Sequence, residues 1–433
     1  MTRPLPQPVR IYRVGGSVRD ELLGRPVSDH DWVVVGATPE IMLASGFMPV
    51  GRDFPVFLHP QTRDEYALAR TERKHGRGYR GFQFFATPEV TLDDDLARRD
   101  LTINAMARAE DGSLVDPYGG EADLRAGILR HVSAAFAEDP LRVLRVARFA
   151  ARFAFRIADE TLALMRDIVA SGELATLAPE RVWQELAIGL SEAHPARMLD
   201  ALRACGALRA LLPELDALAA IPAATGGNRH DDAGAFTARA LDWSAAHAMP
   251  LPVRYAVLTQ ELDRMPSGRG EPDRTDARAG IARAEAVSRR LKVPLECRDA
   301  ARLAVRWHRV LVDVEALAPA ALLDVLLAAD ALRRPERLDT LAAATAAHVA
   351  ARDAAMRAPR ADGRRQTLLR EALAVVRNVD AATIARDALE RAARRDGTLA
   401  TGSPGDAIAG ALRAARLRAL RDWKKRARTP QIR

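Results

Sequence analysis

Asp29 and Asp31 stand one residue apart in "PVSDHDWVVVG", residues 26–36, immediately ahead of a run of valines. If that run is a strand, side chains two apart leave the same face, so the two carboxylates project together while His30 points away. Two like charges held that close keep one proton between them unless a cation intervenes. A hard divalent ion resolves the conflict, and Mg2+ is the usual one where phosphates complete its shell. The alternative is a turn, with Asp29 following Ser28 as an ordinary turn residue.

Two more stretches suit a phosphorylated ligand. In "RVGGSVRDELLGRP" the pair Gly15-Gly16 ends a β-like run and opens a helix. Backbone amides at such a start are available to a phosphate, with the Ser17 hydroxyl and the Arg19 charge beside them. In "EDPLRVLRVARF" Asp139 before Pro140 is a good helix start by itself. It does not account for Arg142, Arg145 and Arg148, which follow at spacing three as a drifting stripe. Arg142 falls in the first turn, where the helix dipole disfavours positive charge, and a bound anion or polar ligand offsets that cost.

The elements that must position these residues fall into two regimes. Up to about residue 135, "VRIYRVGG", "DWVVVG", "FPVFLHP", "DEYALAR" and "SLVDPYGG" read as strands or strand ends among helical stretches. Beyond that the periodicity is helical to the end. The expected fold is α+β, a mixed-sheet head followed by an all-α remainder, with parts at 1–138, 139–220, 221–335 and 336–433. Gly/Pro/Asp-rich breaks around 212–236 and 263–280 mark linkers or loops. The stretch "ARTERKHGRGYRGF" sets Arg70, Arg73, Lys74, Arg77 and Arg80 among three glycines and reads as a mobile basic loop or a merely solvated one.

At 433 residues the chain exceeds one ordinary core, and its 48% hydrophobic residues with only 5% aromatics suit helices of Ala, Leu and Val. Lys and Arg outnumber Asp and Glu by 65 to 57, which favours a polyanionic partner without proving one. The last 23 residues carry nine Lys or Arg against one Asp, as a solvated helix face or an RNA arm. Cys205 and Cys297 are the only cysteines, far apart and outside any metal-ligand spacing, so neither a disulfide framework nor a zinc site is expected. With no apolar run of bilayer length, a soluble cytoplasmic protein is expected, as monomer or homodimer.

Taken in order, "VGGSVRDELLG", "DHDWVVVG", "ARTERK", "DDDLARRDLTINAMA" and "EDPLRVLRVARFAARF" resemble the head and neck of bacterial class II tRNA nucleotidyltransferases, the CCA-adding enzymes with a polymerase β-like head. The resemblance is dense over about residues 10 to 215. It implies template-independent addition of C, C and A to tRNA from CTP and ATP. Asp29 and Asp31 would hold two Mg2+ ions, and Glu65 is either a third carboxylate near the attacking hydroxyl or an exposed strand residue. Gly16, Ser17, Arg19, Arg145 and Arg148 would line the nucleotide, Arg99 would meet its phosphates, and Asp139 with Arg142 would select the base. Asp100 and Asn104 are expected to fix their helix to its neighbours.

Some relatives with this head also carry a helical metal-dependent phosphohydrolase of the HD type. Here Phe236 stands at the place of its first histidine and Gln260-Glu261 at the place of His-Asp. His230, His247 and His308 lie nearby as ordinary polar residues, so no phosphohydrolase activity is expected. A poly(A) polymerase of the same superfamily and a catalytically silent RNA-binding homologue are the competing functions.

Overall fold

The computed structural model describes residues 5–6, 8–27, 30–50, 56–74, 82–222, 232–265, 275–355, 363–394 and 403–428. Contacts divide the chain into two compact units, Met1–Asp216 and Ala217–Arg433.

The first unit is built on a seven-stranded sheet in the order β3-β4-β5-β2-β1-β8-β9. Its strands are β1 (Arg10–Val14), β2 (Asp31–Val35), β3 (Met48–Val50), β4 (Val56–Leu58), β5 (Glu65–Leu68), β8 (Ala107–Ala109) and β9 (Leu114–Val115). A separate two-stranded ribbon pairs β6 (Thr71–Lys74) with β7 (Phe82–Phe85). Helices α1 (Gly16–Leu22), α2 (Pro39–Ala44), α3 (Leu92–Ala97) and α4 (Gly120–Ala126) accompany the sheet, followed by α5 (Leu141–Phe153), α6 (Asp159–Ala170), α7 (Pro179–Ser191) and α8 (Pro195–Ala204). The mixed sheet and the helical remainder agree with the α+β expectation.

The valine run is continuous because β2 is covered on both faces. Val33 packs with Val14, Leu96 and Ala107 on one side, while Val34 packs with Met42, Phe57 and Leu68 on the other. Register then sets the chemistry. Val14 at the end of β1 pairs with Asp31 at the start of β2, so the chain leaving β1 into Gly15-Gly16 runs beside that carboxylate. Parallel pairing of β2 with β5 puts Glu65 opposite Asp31.

The basic stretch expected as a loop is not one throughout. Thr71–Lys74 form β6 and find a partner in Phe82–Phe85, which "TERK" alone, lacking apolar alternation, does not announce. Arg77 and Arg80 lie outside the described residues, as do the side chains of Arg73 and Lys74.

The second unit is helical, with Ala233–Ala246, Leu251–Thr259, Ala277–Arg290, Leu295–Trp307, Pro319–Ala328, Glu336–Ala355, Arg364–Arg377, Ala381–Arg394 and Pro404–Arg428 as its main helices. Both cysteines are buried and unpaired. Among the described residues no helix is long and apolar enough to cross a membrane.

At the start of α4, a Cβ on Gly120 would run into the backbone carbonyl of Thr102, in the turn that carries Asn104. Backbone cannot yield as a flexible side chain does. Gly120→Ala is expected to lower unfolding free energy by about 1–3 kcal/mol in urea denaturation, whereas Gly410→Ala, in open space without a positive φ, would show no such loss.

Candidate functional site

A cavity of about 650 Å³ opens in the first unit where β1 ends, β2 and β5 begin and α5 passes. Asp31 and Glu65, opposite each other on adjacent strands, line it together with Gly15 and Gly16. Nine arginines line it, residues 19, 70, 98, 99, 142, 145, 148, 152 and 181, against four carboxylates, Asp31, Glu65, Asp100 and Asp139. Such a wall favours a polyanion, and the carboxylates at its rim offer the oxygen donors a hard cation takes.

The basic wall is held from behind. Arg145 donates to Asp100 Oδ2 at 2.8 Å, and Asn104 donates from its amide to Asp100 Oδ1 at 2.9 Å. Arg19 in turn donates to the Asn104 carbonyl and, at 2.9 Å, to Asp20. This relay ties α1, the turn at 102–104 and α5 together, in line with the fixing role expected of Asp100 and Asn104. Burial pushes the Asp100 carboxyl up, but the Arg145 charge and the bonds from Asn104 and Arg145 outweigh it and hold the group at about 2. The same ion pair raises Arg145 above its ordinary value. Arg148 donates to the buried Glu185 at 2.6 Å, Arg152 to Asp20 at 2.8 Å, and Arg98 and Arg99 both to Asp95.

Several expected site residues are placed in specific ways. Gly15 has φ of 70°, and Arg99 Nη1 would lie 2.8 Å from a Cβ there, so the glycine admits both the turn and the guanidinium. Ser17 does not line the cavity. Its buried hydroxyl donates to the Val14 carbonyl at 3.0 Å and ties the first turn of α1 to β1 instead of facing a ligand. Arg19 is buried rather than an open charge on that turn, with its guanidinium over Phe149 and Phe153. Asp29 lies outside the described residues.

Asp139 does two things. Its Oδ1 accepts from the Leu141 amide at 3.0 Å, which is the expected capping bond, and its Oδ2 pairs with Arg181 on α7 at 3.1 Å. Arg142 donates to the carbonyls of Ala135 at 2.8 Å and Arg98 at 2.6 Å, which sets the plane of its guanidinium. Sequence reasoning missed Arg152, Phe149 and Arg181. Arg152 continues the stripe of α5 one turn on and was within reach of a spacing argument; Arg181 comes from another helix and carries no local signal.

The second unit holds a different polar cluster. Glu261, His308 and His348 are all buried, with one ligand atom of each within 4.8 Å of the others. Phe236 packs its ring 4.9 Å from that of His348. His308 is therefore not the isolated polar residue expected, and His348, on the long helix 336–355, was not anticipated. His247 stacks on Trp243, and His230 lies outside the described residues.

Comparison with known proteins agrees with this architecture. Residues 11–130 match the Poly A polymerase head domain, and residues 154–218 match the family described as the probable RNA and SrmB-binding site of polymerase A. The Multifunctional CCA protein of Aromatoleum aromaticum is 53% identical over 392 residues, covering 89% of this chain and 94% of the relative. That of Azoarcus sp. strain BH72 is 53% identical over 395 residues, covering 89% and 93%. Among solved structures, the Bacillus stearothermophilus CCA-adding enzyme in complex with CTP matches with TM-score 0.64 at 24% identity, covering 97% of this chain and 94% of that one. This last likeness concerns the fold.

Asp100 gives the site a pH signature. Its folded value lies below the roughly 3.9 of an unfolded aspartate, so its contribution is fully present above pH 4 and is lost as pH falls toward 2. Asp100→Asn is expected to remove about 2 kcal/mol of stability at pH 7 and to flatten the acid limb of the stability curve between pH 4 and 2. Urea denaturation across that range checks it.

Proposed function

The chain belongs to the multifunctional CCA proteins, and on that premise we propose how its cavity divides the work. It is a tRNA nucleotidyltransferase that adds C, C and A to the 3′ end of tRNA from CTP and ATP, without a template and with release of pyrophosphate. The observation that carries the reading is one cavity lined at once by Asp31 and Glu65, by nine arginines including Arg142, and by Asp139. Relatives at 53% identity favour this over a poly(A) polymerase. The acids at the mouth argue against a silent homologue. We place the protein in the cytoplasm with its substrate.

Enzymes of this class depend on divalent metal, and the donor set fits a hard ion: Asp31 at an exposed strand start beside Glu65, with Asp29 two residues upstream. Mg2+ held by Asp29 and Asp31 would supply charge stabilisation to the attacking and leaving oxygens of an in-line displacement. Glu65, opposite Asp31, would stand near the RNA 3′-hydroxyl. Arg99, Arg145, Arg148 and Arg152 hold the triphosphate, and their carboxylate partners keep each guanidinium in place. Gly16 lets the backbone approach.

Base choice follows from donors and acceptors. Cytosine and adenine each present an amino donor beside a ring-nitrogen acceptor, which Asp139 and Arg142 can match together. Uracil and guanine present the opposite order, so a carbonyl would face the carboxylate and a ring N–H the guanidinium. Buried mismatches of that kind give strong rejection. The bonds from Leu141 and Arg181 leave lone pairs on both Asp139 oxygens, and the bonds to the carbonyls of Ala135 and Arg98 fix the plane in which the Arg142 guanidinium is offered to a base.

In the second unit we propose that phosphohydrolase activity is absent, because Phe236 and Gln260 offer no imidazole to a catalytic metal. A divalent-dependent 2′,3′-cyclic phosphodiesterase activity in pure protein would overturn this.

With tRNA lacking its terminal CCA, CTP alone should extend the end by two residues, and ATP should add one more only afterwards. Asp31→Ala is expected to slow this by about 1,000-fold or more, several kcal/mol of transition-state stabilisation. Runs of adenosine without CTP use would contradict the assignment, and full activity in the variant would remove the metal role of Asp31.

A further inference from the structure

We propose that Glu261, His308 and His348 form a binding site for a divalent transition metal of the zinc class, built from a different residue set than the HD pattern. Of the positions where that pattern places His and His-Asp, Phe236 and Gln260 carry no metal-binding imidazole and only Glu261 offers a carboxylate. The two imidazoles are supplied instead by His308, which follows the helix Leu295–Trp307, and His348 in the helix Glu336–Ala355.

The geometry favours a nitrogen- and oxygen-ligated ion. His308 Nδ1 donates to the Ala304 carbonyl at 2.7 Å, so the proton sits on Nδ1 and Nε2 presents a bare lone pair. That Nε2 is fully buried and has no hydrogen-bond partner among the described residues. It points at Glu261 Oε1 from 3.6 Å, beyond a hydrogen bond, while His348 Nδ1 lies 3.0 Å from the same oxygen. Two ligands each 2.0–2.1 Å from a tetrahedral zinc lie about 3.3 Å apart, midway between these separations. Bonding through His348 Nδ1 only moves that neutral ring's proton to Nε2.

The surroundings are those of a fixed ligand set. An imidazole that gives its other N–H to a backbone carbonyl, as His308 does, is oriented for metal. Arg309 donates to Glu261 Oε2 at 2.7 Å and to Asp263 at 2.8 Å, turning Oε1 toward the imidazoles. One guanidinium thus serves two carboxylates, and one negative charge of that trio is unmatched within it. Phe236 forms an apolar wall beside His348. The ligands come from three helical segments, so an ion here pins them together, a structural role compatible with the absence of hydrolysis.

The test uses the full chain equilibrated with micromolar Co2+ or Zn2+, desalted, and measured by elemental analysis, with the visible absorption of Co2+ reporting coordination. About one equivalent is expected to remain, with a tetrahedral-type Co2+ band and a raised Tm. His308→Gln and His348→Gln should each weaken retention by about 100-fold or more while CCA addition and circular dichroism stay as in the parent; if one variant fails to fold, the other decides. Asp31→Asn, which alters the carboxylate site of the head, should leave the retained equivalent in place. A parent chain that retains no Co2+ or Zn2+, or two folded histidine variants that retain it undiminished, would overturn the site and leave Arg309 as the sole counter-charge of Glu261.

Discussion

A single buried charge, the carboxylate of Asp100, holds the catalytic architecture in register. It receives Arg145 from α5 and Asn104 from the turn below it, and Asn104 passes the connection to Arg19 on α1. A carboxylate in that position is tolerable only while its partners are in place, and breaking such a pair leaves a buried charge unmatched. The relay therefore couples folding to site geometry: the arginines of the cavity, the turn after β1 and the start of α5 are positioned together or not at all.

The same logic extends around the wall. Arg148 leans on Glu185, Arg152 on Asp20, and Arg98 with Arg99 on Asp95. Nine guanidinium groups without such partners would repel one another and swing with solvent. Paired, they are oriented before the nucleotide arrives, and the surplus of positive charge still faces the cavity. Pre-organised donors of this kind need little rearrangement as charge shifts from substrate to pyrophosphate. Asp139 and Arg142 are set in the same way, one by the Leu141 amide and Arg181, the other by two backbone carbonyls.

Much of this was legible in the sequence because local spacing encodes it. The strand-start acids, the glycines after β1 and the arginines every three residues on α5 are local signals, and register then puts Glu65 opposite Asp31. What the sequence hid depends on partners far along the chain. The hydroxyl of Ser17 was free to bond either a ligand or Val14, and only the bend after β1 decides for Val14. Arg181 meets Asp139 across 42 positions. His348 meets Glu261 across 87, from a helix rich in alanine. The ribbon of β6 and β7 escaped notice because its first strand is charged.

The central claim is that a rigid pair of side chains stands in for a template. Its most direct measurement is the ratio of kcat/KM for CTP over UTP on tRNA lacking CCA, in the parent chain and in Asp139→Ala. Loss of the acceptor removes the penalty against a carbonyl at that position, so the ratio is predicted to fall by about 100-fold or more. An unchanged ratio, with both nucleotides slowed equally, would contradict the account and reduce Asp139 to a helix cap.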